Sequence, residues 1–306
     1  MNPAQDWYRR RTFHHSAFPA ARIAAERDVS VSVCVPARDE AATIGPIVAT
    51  LLSLVDAGAV DQVVVLDDST DATATIARSL GAEVHDQSSL RPELGAVQGK
   101  GDAMWRALSV LRSEVVCFVD ADSEDFGPHF ACGLVGPVVC APRLAMAKGC
   151  YRRPLRLGDT TLPEGGGRVT ELTARPLLNL FYPELAGFLQ PLAGELAARR
   201  SLLESLPFVT GYGVDVALLI DAWRAVGLDG LGQVDLDVRQ NAHKPLRDLG
   251  PMAHAVLGAV VSRLVAEGRV GPADGHAFLL PVAGELVEHR LLAEERPPLV
   301  PAAAGA

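Results

Sequence analysis

The sequence predicts an α/β protein: a mixed, mostly parallel sheet of Rossmann-like type with helices on both faces and a mainly helical C-terminal part. Three observations carry that expectation. Valine-rich apolar runs of strand length alternate with stretches of helical spacing, as βαβ units do. The runs are apolar throughout, the mark of strands buried on both faces. Several of them stop at acids, where the carboxyl ends of strands in an open sheet hold ligands.

The elements follow in order. "VSVSVCVPA" (29–37) reads as a buried strand ended by Pro36, and "DEAATIGPIVATLLSLV" carries helical spacing from Asp39 or Glu40 onward, with Pro46 early in the helix. "DQVVVLDDST" is a second strand ending in acids, "DATATIARSLGA" a helix closed by Gly81, and "EVHD" a short third strand. "GKGDAMWRALSVLRS" is a helix that starts among glycines, and "EVVCFVDAD" is a further buried strand. Beyond it, "LAMAKGCYRRPL" holds a candidate strand and "LGDTTLPEGGGRVTEL" a polar, glycine-rich loop. Helical stretches run over Val169–Leu180 and Gly213–Val226, and "GQVDLDVRQNAHKPL" alternates like a strand before a basic segment. The stretch from Pro251 to Arg290 reads as mostly helical and "RPPLVPAAAGA" as frayed. This gives an N-terminal arm over 1–28, an α/β domain over 29–150, a second region over 151–290 and a flexible tail over 291–306.

Composition narrows the class. The 306 residues are 49% hydrophobic, ample for a large core, and 28 Lys and Arg against 37 Asp and Glu give a formal charge of -9. An acidic chain of this kind lacks the electrostatic footprint of a nonspecific nucleic-acid binder. Five cysteines without a Cys-x-x-Cys, two of them inside apolar runs, fit buried free thiols in a reducing compartment and speak against a zinc site. The N-terminus has no apolar h-region, and no segment is expected to supply the roughly 18 apolar residues of a membrane span. A cytoplasmic protein is the expectation.

Polar groups cluster at three strand ends: Pro36-Ala37-Arg38-Asp39-Glu40, Asp67-Asp68-Ser69 and Asp120-Ala121-Asp122. One such end is ordinarily a helix cap; three together point to a shared site. Carboxylates at a strand end suit Mg²⁺ or Mn²⁺, which take their other ligands from diphosphate oxygens. Glu124 and Asp125, further along, read as a solvated start to the next segment. Lys100 stands at a helix start, an electrostatically unfavourable place for a cation, within reach of a nucleotide or sugar. "EGGGRVTEL" reads equally as a flexible linker or as an anion site made by helix-start N–H groups and Arg168. "RQNAHKPLRDLG" adds Arg239, His243, Lys244 and Arg247, an imidazole suited to a divalent ion and cations suited to phosphate.

These pieces together resemble the glucosyl-3-phosphoglycerate synthases and the related mannosyl-3-phosphoglycerate synthases, retaining glycosyltransferases of the GT-A fold. The resemblance runs from "VSVCVPARDEAATIG" through "VVVLDDSTDATATIA", "GKGDAMWRAL", "VDAD" and "GGGRVTEL" to "LGQVDLDVRQNAHKPLRDLG". The long block around Gly211-Tyr212-Gly213-Val214 is its most specific part. It implies that 29–150 binds a nucleotide sugar and 151–290 the acceptor. On the donor side it implies Pro36, Ala37, Arg38 and Glu40 at uridine, Ser69 and Lys100 at the nucleotide sugar, and Asp120 beside Ala121 at ribose or metal. Asp122 would bind the divalent ion, Tyr212 and Asp215 would lie by the transferred sugar, and Arg239 by the diphosphate. Gly167, Arg168, Val169 and Thr170 would hold the acceptor, with Lys244 among the phosphate-binding cations. Asp122, Asp215 and Arg239 are thus the expected catalytic residues.

Three departures from the family pattern stand out: Ala121 replaces a Ser, Asp215 replaces a Glu, and Asn241 falls where the metal-binding His belongs. The second protein ligand of the metal is therefore open between Asn241 and His243. The implied activity is metal-dependent transfer of a hexose, glucose from a UDP-sugar first, to a small phosphorylated acceptor such as 3-phosphoglycerate, by a homodimer. Its rivals are a GDP-mannose donor or a secondary-metabolism acceptor on the same fold, a nucleotidyltransferase, and a non-catalytic nucleotide-binding protein.

Overall fold

The structure is a computed structural model that describes residues 3–141, 143–157, 160–162, 166–240, 245–271, 277–282, 285–290 and 294–300. The chain enters through α1 (Pro3–Arg11), β1 (Thr12–His14) and α2 (Ala20–Glu26). The alternating half follows: β2 (Val31–Ala37), α3 (Ile44–Asp56), β3 (Gln62–Asp67), α4 (Thr73–Ser79), β4 (Glu83–Asp86), α5 (Lys100–Ala107), β5 (Val115–Phe118), α6 (Pro128–Cys140) and β6 (Met146–Arg152). Next come β7 (Leu155–Leu157), β8 (Thr160–Leu162), a wide turn over Thr170–Ala174, α7 (Arg175–Phe181), β9 (Leu196–Arg199), α8 (Arg200–Ser205) and β10 (Phe208–Val209). The described chain closes with α9 (Val214–Val226), β11 (Leu231–Val238), α10 (Leu249–Ala266), β12 (Ala277–Val282), β13 (Glu285–Arg290) and β14 (Glu295–Arg296).

Eight strands form one sheet in the order β1-β11-β6-β9-β5-β2-β3-β4, parallel except for β9, which runs antiparallel between β5 and β6. From β2 the chain steps outward to β3 and β4, then returns to the other side of β2 as β5. Adjacent strand ends part at that reversal, which opens a crevice for a ligand. The valine runs are buried on both faces, as their lack of alternation implies. Val33, Val35 and Cys117 pack under α3 and α6, while Cys34, Val116 and Phe118 pack with Met104, Val216 and Val256 of α5, α9 and α10. The N-terminal arm is anchored by Trp7, fully buried, whose Nε1 donates to Leu231 O at 3.0 Å and whose ring lies 4.3 Å from that of Phe188. Truncating so buried an indole costs about 3–5 kcal/mol.

Several expectations change. Helix α3 begins at Ile44, not at Asp39 or Glu40. The intervening backbone is bound elsewhere: Asp39 N donates to Ser69 Oγ (2.8 Å), Glu40 N to Thr73 Oγ1 (2.9 Å) and Ala41 N to Asp71 (3.1 Å). Asp39 accordingly adopts a left-handed φ of 56°. The stretch expected to be helical to Arg290 is helical only through α10; β12 and β13 pair as an antiparallel hairpin. The glycine-rich loop contains β8, which pairs with β7 at its start. The tail expected to be frayed is docked where described: Glu295 and Arg296 pair with Val209 and Phe208, and Pro297 O accepts from Trp105 Nε1 at 2.9 Å. The expectation of no membrane-length segment also fails on length and composition: Leu246–Ala266 is 21 residues long and holds an 18-residue window of mean hydropathy 1.5. In the structure the helix packs on α9 and lends Leu249, Met252 and Val256 to the cleft described next.

Candidate active site

A cleft of about 640 Å³ lies along the carboxyl ends of the parallel strands. Its floor is the reversal point: Pro36 and Ala37 end β2, and Asp120, Ala121 and Asp122 follow β5. Arg38, Glu40, Gln87, Lys100, Arg153, Gly167, Arg168, Val169 and Thr170 also line it. Tyr212 and Asp215 enter from the start of α9.

Arg239 is the electrostatic hub, because β11 ends beside β6 and delivers a 3% exposed guanidinium to the cleft floor. Nη1 donates to Asp120 Oδ2 at 3.0 Å and to Tyr151 OH at 2.9 Å, Nε donates to Ser123 Oγ at 3.1 Å, and Nη2 binds Asp122 Oδ1. The other oxygen of Asp120 accepts from Lys100 Nζ at 2.6 Å. Burial works to raise the Asp120 carboxyl, but Lys100 and Arg239 outweigh it and hold the group well below the usual carboxylate range. Burial likewise works to lower Lys100, and Asp120 and Asp215 reverse it, holding the ammonium above its ordinary value.

Three further buried groups complete the charge pattern. Glu195 is fully buried with Oε2 3.3 Å from Arg239 Nη1, outside hydrogen-bond geometry, and burial pushes its carboxyl up to about 7. Lys148 Nζ donates to Ala193 O at 2.8 Å, and burial lowers it to about 8. Asp215 is raised by burial against the pull of Lys100 and Lys148, and its Oδ1 has no hydrogen-bond partner among the described residues. Asp215 lines the cleft, and a carboxylate with spare acceptor capacity is suited to accept a ligand hydroxyl. Gly194 makes the crowding possible: a Cβ there would stand 1.8 Å from Lys100 Nζ and 3.0 Å from Asp120 Oδ1.

The structure brings together nearly all of the described residues expected at the site: Pro36, Ala37, Arg38, Glu40, Lys100, Asp120, Ala121, Asp122, Gly167, Arg168, Val169, Thr170, Tyr212, Asp215 and Arg239 line this one cleft. Ser69 does not line it; its hydroxyl accepts from Asp39 N and shapes the turn after β2. Asn241, His243 and Lys244 lie outside the described residues, so the second metal ligand stays open between Asn241 and His243. Sequence reasoning missed Glu195, Lys148, Tyr151 and Arg153. A charged residue inside the apolar runs "AMAKGCY" and "LAGELAA" was the available signal, since buried charges need partners. Asp120 and Asp122 converge on a cationic group, and these hard oxygen donors fit a divalent ion.

An open α/β sheet whose reversal point carries paired carboxylates faced by cations fits the class that the comparisons show: a glycosyltransferase of the GT-A fold. Residues 32–130 match glycosyl transferase family 2. The glucosyl-3-phosphoglycerate synthase of Petrotoga mobilis is 38% identical over 304 residues, covering 95% of this chain and 94% of its own. That of Mycolicibacterium paratuberculosis is 43% identical over 266 residues, 85% of this chain and 80% of its own. The crystal structure of mannosyl-3-phosphoglycerate synthase from Rubrobacter xylanophilus superposes with a TM-score of 0.89 at 45% identity, covering 97% of each chain. Glucosyl-3-phosphoglycerate synthase from Mycobacterium tuberculosis, in complex with Mn²⁺, UDP-glucose and phosphoglyceric acid, superposes at 0.84 and 38% identity, covering 94% of this chain and 97% of that one. The chain belongs to the glucosyl-3-phosphoglycerate synthase family.

Proposed function

We propose that the protein transfers glucose from UDP-glucose to the hydroxyl of 3-phosphoglycerate with retention at the anomeric carbon. The observation that carries this reading is the meeting of Asp120, Asp122, Lys100 and Arg239 with the unpartnered Asp215 oxygen in one cleft, opposite Arg153 and Arg168. Asp122, with Asn241 or His243, would hold a Mg²⁺ or Mn²⁺ ion, which supplies Lewis-acid neutralisation of a diphosphate when bound. Asp122 is tied to Arg239, so it would serve as a ligand with that pair loosened, and Arg239 would keep its contacts with Asp120, Tyr151 and Glu195.

Arg239 and Lys100 face the diphosphate and stabilise the negative charge that develops on it as the sugar departs. Asp215 accepts a hydroxyl of the transferred hexose, and Tyr212 covers it. Pro36, Ala37, Arg38 and Glu40 take the nucleoside end. Arg168 and Arg153, with the backbone of Gly167–Thr170, hold the phosphate and carboxylate of the acceptor, so that its hydroxyl meets the anomeric carbon. No side chain is assigned as nucleophile: the leaving phosphate takes the hydroxyl proton on the face from which it departs.

A second reading, with a GDP-mannose donor, is favoured by the 45% identity to the mannosyl enzyme and by Asp215, one methylene shorter than the family's Glu. Product formation from paired UDP-glucose and GDP-mannose assays decides between them; preference for GDP-mannose overturns the first reading. The proposal extends to a cytoplasmic homodimer. Its supports are five free cysteines and the apolar helix α10, of which a window only 28% buried leaves an outer face for a second copy. Sedimentation at the mass of one chain would refute the dimer.

A further inference from the structure

On the same edge of the sheet as the cleft, the carboxyl ends of β1 and β11 bring a second set of ligating side chains together. β1 pairs in parallel with β11, His14 opposite Asp235, and the chain then turns at His15–Ala17. Consecutive histidines therefore face the β11 edge, with ring centroids 4.4 Å apart. In β11 the pairing register slips between Asp235 and Val238, and Asp237 takes a left-handed φ of 68° with its N–H donating to Asp235 Oδ1 at 2.9 Å. That irregularity aims the Asp237 carboxylate at the histidine pair. Oδ2 lies 2.7 Å from His15 Nε2 and Oδ1 lies 3.6 Å from His14 Nε2.

We propose that His14, His15 and Asp237 form a binding site for a zinc-type transition-metal ion, distinct from the divalent-ion site at Asp122. One ligand atom from each residue lies within 4.8 Å of the other two. Tetrahedral zinc, with bonds of about 2.0–2.1 Å, sets its ligand atoms about 3.3 Å apart. Closing around an ion therefore asks for adjustments on the order of an ångström, from two side chains about half exposed and one less so. Two imidazoles and one carboxylate suit Zn²⁺, Co²⁺ or Ni²⁺ better than Mg²⁺.

The shell around these ligands is also built. Metal on His14 Nε2 calls for the proton on Nδ1, and Ser16 Oγ stands 2.8 Å away to accept it. The weaker approach of Ser16 N to the same nitrogen, at 3.3 Å, is then given up. The His129 ring lies 4.7 Å from that of His15 and limits its rotation. Among the described residues, the cation paired with Asp237 is Arg152, whose Nη2 lies 3.9 Å from Asp237 Oδ1, and its exposed side chain can swing to solvent. Asp237 precedes Arg239 by two residues, and Arg239 N donates to Arg152 O at 3.0 Å. An ion here would pin the N-terminal arm to the strand end from which Arg239 enters the cleft. The site does not depend on the sugar or acceptor assigned above.

The test uses the untagged full chain carrying Asp122→Ala, freed of metal, so that the cleft ligand is removed from the count. Zn²⁺ alone is titrated by calorimetry and Co²⁺ by its visible absorption, with circular dichroism confirming the fold. The expected result is one Zn²⁺ bound per chain and a Co²⁺ band typical of low coordination number. Adding His14→Gln or Asp237→Asn lowers affinity at least about 100-fold, and Ser16→Ala lowers it about tenfold. Asn tolerates the left-handed backbone at 237, so that variant keeps the fold. Binding only at millimolar metal, or equal affinity in the His14→Gln and Asp237→Asn variants, overturns the proposal; either would leave His15 and Asp237 as an ordinary hydrogen-bonded pair.

Discussion

Replacing Gly194 by alanine would place one carbon 1.8 Å from Lys100 Nζ and 3.0 Å from Asp120 Oδ1. Comfortable contact requires about 3.5–4.0 Å, so Nζ must retreat by roughly 2 Å. The 2.6 Å bond between Lys100 and Asp120 cannot survive that movement. The displaced atom ends a flexible side chain, so the fold yields easily while the ammonium leaves its place in the cleft. A hydrogen bond involving charged groups contributes about 1.5–3 kcal/mol. If Lys100 delivers that to the departing diphosphate, kcat/KM falls about 10- to 100-fold. Steady-state UDP release, measured beside a thermal melt, checks both halves: a melting temperature close to that of the parent, with the drop in kcat/KM. Unchanged kcat/KM would refute the role given to Lys100, and a collapsed melt would show that the neighbourhood cannot yield.

Gly101→Ala should do the opposite. Its Cβ would stand 1.8 Å from the backbone oxygen of Val209, so α5 must shift off β10 at a cost of about 1–3 kcal/mol or more, read by denaturant unfolding; an unaltered midpoint contradicts this. Arg296→Ala removes the bonds to Asp102 at 2.7 and 3.0 Å and leaves that buried carboxylate to Arg106 and Gln98 N. Stability should fall by about 1–3 kcal/mol, and a thermal melt identical to the parent's would return the tail to a passive role. Burial raises Glu195 from 4.5 to about 7, so the folded chain binds more protons than the unfolded one across that window and loses stability as pH rises through it. Glu195→Gln has no such ionisation; its melting temperature should decline less than the parent's over the same window, and parallel curves would refute the assignment.

Much of this site was legible because it sits where chain direction and residue type coincide. An apolar run that ends in Asp-Ala-Asp announces both a buried strand and its carboxyl end, and the parallel sheet then gathers such ends on one edge. What stayed hidden depends on long-range packing. Glu195 and Lys148 lie buried beneath the cleft, against Arg239 and Asp215, where β9 runs antiparallel between β5 and β6, a reversal that apolar runs do not encode. The late start of α3 depends on Ser69, Thr73 and Asp71 capturing backbone groups some 30 residues away, where local spacing alone favours helix from Asp39. Arg296 looked like part of a frayed tail because its partner, Asp102, lies far away in sequence and is buried only once α5 has packed.

The assignment of the cleft rests on Asp122 as a ligand of the ion that neutralises the diphosphate. The decisive experiment incubates the chain and its Asp122→Ala variant with UDP-glucose and 3-phosphoglycerate, with Mg²⁺ or Mn²⁺ and again with chelator. Product is followed by proton NMR of the anomeric centre. The parent should form an α-glucoside only with metal, and the variant should lose about 10²–10³-fold or more of that rate at any metal concentration. Turnover by the parent in chelator, normal turnover by the variant, or an inverted anomeric centre would contradict the mechanism.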